Sequence, residues 1–195
     1  MRDLAATFTD LGVLRHGHYQ LSSGKHSDTY LQCAQALQQP AVALDLGRRL
    51  ADATRELRPD VVVSPALGGI LAGFAVAAAL DVRFAFTERD ATRRMVLRRG
   101  QLIAPGERVL VVEDVVTTGG SAQEVADLVE AAGAQVVATA AIVDRSGGLP
   151  PDERPARTPV ALLAVAPQAW DPSDCPQCAQ GTPMDAPGSR TFKPR

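Results

Sequence analysis

Lysine is nearly missing from this chain: of its 20 basic residues only Lys25 and Lys193 are lysines, and the other eighteen are arginines. Taken alone that bias proves nothing about function. An excess of one charge is missing too. A net charge of −2 gives no reason to expect attraction to nucleic acid or to a membrane surface. Cysteines are few and odd in number, three in all, so they make no disulfide framework. The longest uncharged apolar run, ALGGILAGFAVAAAL at 66–80, falls short of the roughly 20 residues a membrane span needs. It also carries three glycines and reads as a buried helix. The N-terminal MRDLAATFTDLG has no apolar core of a secretory signal, so a cytoplasmic location is expected.

What is present suits a single domain over residues 1–195, with at most a small appendage. A hydrophobic share of 46% is enough for a large core. Residues 3–14 read as a short amphipathic helix with Leu4, Phe8 and Leu11 on one side. HGHYQLSSGKHSDTYLQCAQAL, from 16, alternates polar and apolar residues around an SSG turn and reads as strands or an irregular cap. Pro40 suits the first position of a helix, along which Leu46, Leu50, Ala53 and Leu57 recur at helical spacing. Strand–helix units follow: strand 60–65, apolar helix 69–80, strand 82–88, strand 108–113, a helix carrying Ala122, Val125, Ala126 and Val129 that Gly133 ends, strand 135–144 and strand 159–165. The arginine-bearing stretch 89–107 reads as an exposed loop or hairpin. Apolar strands alternating with helices imply an α/β fold with a central, mostly parallel sheet flanked by helices. Ligands of such sheets bind beyond the carboxyl ends of the strands. Those ends hold Ser64-Pro65, Glu88-Arg89, Glu113-Asp114 and Asp144-Arg145.

The most informative stretch is VLVVEDVVTTGGS, 109–121. Thr117, Thr118, Gly119, Gly120 and Ser121 offer consecutive backbone N–H groups and hydroxyls at a helix N-terminus, which suits a phosphate. Glu113 and Asp114 do not suit a phosphate, but ionised carboxylates accept hydrogen bonds from sugar hydroxyls. Either feature alone reads as solvated acids or a helix cap; together they read as a ribose 5-phosphate site. Other nucleotide motifs fail. Gly24-Lys25 is followed by His26 and lacks the upstream glycine of a P-loop, and Gly68, Gly69 and Gly73 do not make G-x-G-x-x-G. Cys175-Pro176-Gln177-Cys178 is a lone CxxC. Zinc in a structural site takes four protein ligands; no second CxxC or H-x-x-x-H accompanies it, and Cys33 adds a third ligand only if folding happens to bring it there. The pair is read as structural, with a metal site as the lesser alternative. His16, His18 and His26 receive no catalytic role.

VLVVEDVVTTGGS resembles the phosphoribosyl-diphosphate (PRPP) signature of the type I phosphoribosyltransferases. LSSGKHSDTY (21–30), MVLRRGQLIAPGERV (95–109) and IVDRSGG (142–148) resemble the orotate phosphoribosyltransferases within that family. The likeness runs from about residue 10 to PGSR at 187–190. It implies the type I fold, with a core at about 40–158 and a small hood from about 15–38 and 159–195. It implies transfer of ribose 5-phosphate from PRPP to orotate, with Mg²⁺ carried by the diphosphate, no directly bound metal, and Glu113 and Asp114 reaching the ion at most indirectly. By the same resemblance Glu113, Asp114, Val115, Val116 and Thr117–Ser121 bind PRPP, and Gly68 and Gly69 of SPALGG bring main-chain amides to the diphosphate. Arg145, Thr117 and Lys25 meet orotate. Segment 89–101 matches a mobile catalytic loop, although relatives carry lysines and a histidine there and this chain has Arg89, Arg93, Arg94, Arg98 and Arg99. Arginine binds diphosphate without risk of deprotonation; Arg89, Arg98 and Arg99 are favoured, with Asp114, as the catalytic set. A homodimer is implied. Transfer to another nucleobase, and a PRPP-sensing regulator without catalysis, are the alternatives.

Overall fold

Long runs of β-branched residues set the frame of this fold. In the structure, a computed structural model, residues 3–21 and 23–187 are described; Ser22 and residues 188–190 of the PGSR stretch lie outside them. The chain runs α1 (Leu4–Asp10), β1 (Leu14–Gln20), β2 (His26–Leu31), α2 (Ala34–Leu37), α3 (Pro40–Thr54), β3 (Val61–Pro65), α4 (Gly68–Leu80), β4 (Arg83–Arg89), β5 (Met95–Leu97), β6 (Arg108–Val116), α5 (Gly120–Ala131), β7 (Gln135–Asp144), β8 (Val160–Ala164), β9 (Ala169–Trp170) and α6 (Pro176–Ala179). Pro40 stands at the start of α3 as its spacing predicts. The first helix is shorter than expected, because Leu14 already belongs to β1.

Two compact units result, one spanning Cys33–Val165 and the other formed by the described residues up to Gln32 and from Ala166 onward. The larger holds a six-stranded sheet in the order β5-β4-β3-β6-β7-β8. All neighbours in it are parallel except β4 and β5, so the arginine stretch is a hairpin, the second of its two expected forms. The eighth strand, expected in the hood, pairs with β7 in this sheet. The units accordingly part at Cys33 and Val165 rather than near 40 and 158. Val61–Val63 and Val109–Val112 are fully buried, as strands covered on both faces must be. Val61, Val63, Val109 and Val111 pack with Ala122, Val125 and Val129 of α5. The alternate residues of the same strands therefore face the opposite side of the sheet.

The smaller unit contains an antiparallel sheet in the order β1-β2-β9. The alternation read from 16 onward is the β1–β2 hairpin, with Gln20 opposite His26 and Tyr19 opposite Ser27.

Candidate functional site

The strand order has one reversal. From β3 the chain steps outward to β4; from β6 it steps the other way to β7. A ligand crevice belongs at that switch point, beyond the carboxyl ends of β3 and β6. The hydrogen-bond ladder opens there. Pairing of β3 with β6 stops at Val63 opposite Val111, whereas β6 continues along β7 until Val116 opposite Asp144. β6 thus runs past Glu113, where the sequence pattern ended it. Glu113 and Asp114 lie inside the strand, on the stretch that β3 no longer covers.

Strand alternation sends the two acids to opposite faces. Asp114 lies on the α4 side, where its carboxylate packs against the backbone of Gly68, the first residue of α4. A Cβ built on Gly68 would stand 2.6 Å from Asp114 Oδ1 and 2.7 Å from Oδ2, so only glycine allows this approach. Glu113 lies on the α5 side, where the Ala122 backbone N–H in the first turn of α5 reaches its carboxylate. Each acid therefore meets the start of a different helix, the end where partial positive charge favours an anion. Burial nevertheless dominates. It pushes the Glu113 carboxyl up from 4.5 to about 7, with the neighbouring Asp114 adding to the rise and the Ala122 amide opposing it. Asp114 is raised by burial as well, against the backbone N–H groups of Val115 and its own residue.

The turn after β6 has the features of an anion cradle. Gly119 adopts a left-handed φ of 74° and, as the N-cap residue, has no side chain with which to cap α5. Ahead of the Ala122 amide that Glu113 takes, the Gly120 and Ser121 amides of this 12-residue helix stay available to an external acceptor. A Cβ on Gly119 would lie 2.6 Å from Pro155 Cβ, so both conformation and space demand glycine. Arg145 follows β7, and its backbone N–H donates to Val116 O at 2.9 Å, which fixes it beside the start of the same turn. Asp144 accepts from the Ser146 backbone N–H at 2.8 Å and thereby shapes the IVDRSGG corner. Gly69 also sits close, its Cβ position 3.1 Å from Val112 O.

The structure thus brings Gly68, Gly69, Glu113, Asp114, Val115, Val116, Thr117–Ser121 and Arg145 to one end of one sheet. It places the arginines differently. Arg89 forms a bidentate pair with Glu124 of α5 at 2.8 and 2.9 Å, and Arg99 a bidentate pair with Glu88 at 3.2 Å for both contacts. Asp90 ties the hairpin tip together, accepting from the backbone N–H groups of Thr92 and Arg94 and from the Thr92 hydroxyl. Arg98 is exposed and its charge acts on Asp90. Lys25, exposed, lies in the β1–β2 turn of the smaller unit, its carbonyl accepting from Leu21 N–H at 2.8 Å.

Sequence reasoning missed Glu124 and Arg157. A cavity of about 210 Å³ opens at the anion turn, lined in part by Thr118, Gly119, Gly120 and Arg157. Arg157 reaches Gln123 and Glu130 of α5. Only a loop–helix contact absent from any local spacing could have revealed it. Cys33, the conditional third zinc ligand, instead donates its thiol to Asp114 O at 3.7 Å. Burial, then the Asp114 charge, raise its pKa far above the ordinary thiol range, which leaves it inert.

A family model described as the phosphoribosyl transferase domain matches residues 33–161. An orotate phosphoribosyltransferase of Heliobacterium modesticaldum is 48% identical over 186 residues, covering 94% of this chain and 95% of that protein. One from Thermotoga maritima is 45% identical over 182 residues, covering 93% and 95%. The orotate phosphoribosyltransferase of Mycobacterium tuberculosis, solved in complex with inorganic phosphate, matches with a TM-score of 0.64 at 27% identity, over 84% of this chain and 94% of that one. The sheet and its switch point are those of the type I phosphoribosyltransferase fold. The chain belongs to the orotate phosphoribosyltransferase family.

Proposed function

We propose that this protein transfers ribose 5-phosphate from PRPP to orotate, giving orotidine 5′-phosphate and diphosphate, as a step of de novo pyrimidine biosynthesis. One observation carries the reading in the geometry: the Asp114 carboxylate against Gly68, at the same strand end as the N-terminus of α5. That juxtaposition supports a ligand with hydroxyls, a monophosphate and a diphosphate held together. Asp114 and Glu113 accept the ribose hydroxyls, Thr117–Ser121 hold the 5-phosphate, and the amides around Gly68 and Gly69 hold the diphosphate.

In the reaction the bond from the anomeric carbon to the diphosphate oxygen breaks, and the diphosphate leaves with the electron pair. The deprotonated ring nitrogen of orotate forms the new bond. The protein orients the two partners, shields them from water and offsets the charge on the leaving group. Arg145 and Thr117 take the orotate carboxylate and ring edge, a match for a guanidinium fork, with Lys25 a further contact. Arg89, Arg98 and Arg99 supply positive charge once the hairpin meets the diphosphate, and for Arg89 and Arg99 this means exchanging a glutamate partner for the substrate. Two half-buried carboxylates with raised pKa values suit a hard divalent cation close by. Mg²⁺ bound with PRPP supplies further neutralising charge, with Glu113 and Asp114 acting on it only indirectly.

A homodimer is part of the proposal. Leu67, which precedes α4, and Leu71 and Phe74 along it are 84%, 52% and 57% exposed, an apolar surface that supports burial against a second copy. A cytoplasmic location follows from the same role; among the described residues no helix is long and apolar enough to cross a membrane.

The test is orotate-dependent consumption of PRPP with diphosphate release, with and without Mg²⁺, run beside uracil, hypoxanthine, xanthine and adenine. Turnover with orotate alone among these bases is expected. PRPP binding without diphosphate release on addition of any base would instead make the chain a sensor.

A further inference from the structure

His18, His26, Cys175 and Cys178 converge in the smaller unit. One nitrogen or sulfur from each lies within 4.8 Å of all the others. The hairpin explains the histidines: Gln20 pairs with His26 across β1 and β2, and His18 stands two residues from Gln20. The cysteines come from the chain's other end, 157 residues from His18 in the case of Cys175, and bracket the start of α6.

Hydrogen bonding does not account for this cluster. His18 Nδ1 lies 2.9 Å from the Thr182 carbonyl oxygen, which can only accept, so Nδ1 carries the proton and Nε2 presents a lone pair. That single lone pair faces three groups: His26 Nδ1 at 3.1 Å, Cys175 Sγ at 3.5 Å and Cys178 Sγ at 3.6 Å. Cys178 Sγ also lies 3.2 Å from His26 Nδ1. One lone pair accepts one hydrogen bond, whereas a cation at the centre uses all four atoms at once. Tetrahedral zinc, with bonds of about 2.3 Å to sulfur and about 2.05 Å to nitrogen, sets sulfur–nitrogen edges of about 3.5 Å and a nitrogen–nitrogen edge of about 3.3 Å. The observed separations match those edges within a few tenths of an ångström. The Thr182 carbonyl also supplies the outer hydrogen bond that metal-bound histidines usually make.

We propose that His18 Nε2, His26 Nδ1 and the thiolates of Cys175 and Cys178 form a structural Zn²⁺ site that fastens the C-terminal segment to the β1–β2 hairpin. The donor set is closed, two sulfurs and two nitrogens, which selects zinc over hard cations. Three of the four ligand residues are buried, and the unit they join is assembled from the two ends of the chain. A cross-link between such distant segments removes much conformational freedom from the unfolded chain. The inference is independent of the transferase reading.

The experiment uses full-length protein without a metal-affinity tag, expressed with zinc and purified without chelator. Elemental analysis is expected to give about one zinc per chain. Co²⁺ exchanged into the site is expected to show the intense visible bands of a tetrahedral ion together with a thiolate-to-cobalt charge-transfer band. A Cys175→Ser/Cys178→Ser double variant and His26→Gln should lose that spectrum, while Cys33→Ala keeps it. Chelator should lower the melting temperature of the wild type by about 5 °C or more and leave that of the double variant unchanged. Zinc below about a tenth of an ion per chain in the wild type, or a double variant that still binds stoichiometrically, overturns the proposal. So does an octahedral Co²⁺ spectrum, or a Cys175–Cys178 disulfide found in freshly purified protein. Because the wild-type stoichiometry is decisive alone, a variant that fails to fold does not shelter the idea.

Discussion

The carboxylates of β6 and the arginines of the β4–β5 hairpin are expected to meet one substrate, yet the fold treats them in opposite ways. Glu113 and Asp114 are held by a strand whose register is fixed on the β7 side, largely buried and packed against helix starts. Their geometry is built before any ligand arrives, at the cost of raised pKa values. Arg89 and Arg99 are exposed and occupied by Glu124 and Glu88. Exposed pairs of this kind are screened by water and contribute little, so trading them for a diphosphate is easy. On the proposed reading, preorganisation sits on the sugar side of the site and exchangeable charge on the leaving-group side. That division suits a reaction in which the sugar stays and the diphosphate departs.

The strongest way to break the comparison is Asp114→Asn. It keeps the packing against Gly68 but removes the charge proposed to hold the ribose. We expect kcat/KM to fall by about a thousandfold, roughly 4 kcal/mol of transition-state stabilisation, with a melting temperature no lower than wild type. Turnover close to normal would place the ribose elsewhere. Next comes Gly68→Ala. The added methyl would lie 2.6 Å from Asp114 Oδ1 and must displace the carboxylate. Misplacement on this scale costs about a hundredfold in kcat/KM. Because the damage passes through Asp114, the double variant should lose less than the sum of the two single losses; simple additivity would show the glycine acting on its own. A smaller effect is expected on the other side. Arg99→Ala should lower kcat by about tenfold while the KM for PRPP changes little, and it should leave stability almost untouched. A large change in KM alone would make Arg99 a ground-state binder.

How much of this was legible beforehand follows the same division. The apolar run 109–112 and the Thr-Thr-Gly-Gly-Ser turn announce a buried strand and an anion site because both are local. That β6 outruns β3 beyond Val111, and that Glu113 and Asp114 consequently serve opposite faces, depends on which strands become neighbours. No spacing within the motif encodes that. Glu124 as the partner of Arg89, 35 residues away, is likewise a product of topology. The His18–His26–Cys175–Cys178 cluster is the extreme case. The CxxC is visible as a pair, but its histidines come from a hairpin at the other end of the chain, and their H-x₇-H spacing matches no helical metal motif. It becomes readable only when Gln20 is known to pair with His26.

The finest test of the preorganised side is its pH dependence. In the fold the Glu113 carboxyl titrates near 7 rather than at its ordinary 4.5, so the folded chain holds this proton more tightly than the unfolded chain does. The stability linked to it is fully present below about 4.5 and is lost as pH rises through about 7. Glu113→Gln removes that loss, because a neutral amide stands where a half-buried charge would form beside Asp114. The variant should show a flatter stability profile between pH 5 and 8 and be more stable than wild type at the upper end, by on the order of 2 kcal/mol. Ligand binding should run the other way. Hydroxyls of a bound sugar favour the ionised carboxylate, so wild-type PRPP affinity should rise severalfold from about pH 6 to 8, and that rise should vanish in the variant. Denaturant melts and PRPP titrations across this range check both. If the variant kept the wild-type stability slope, the titrating group would not be Glu113, and the upward pKa shift of the β6 carboxylates would have to lie with Asp114.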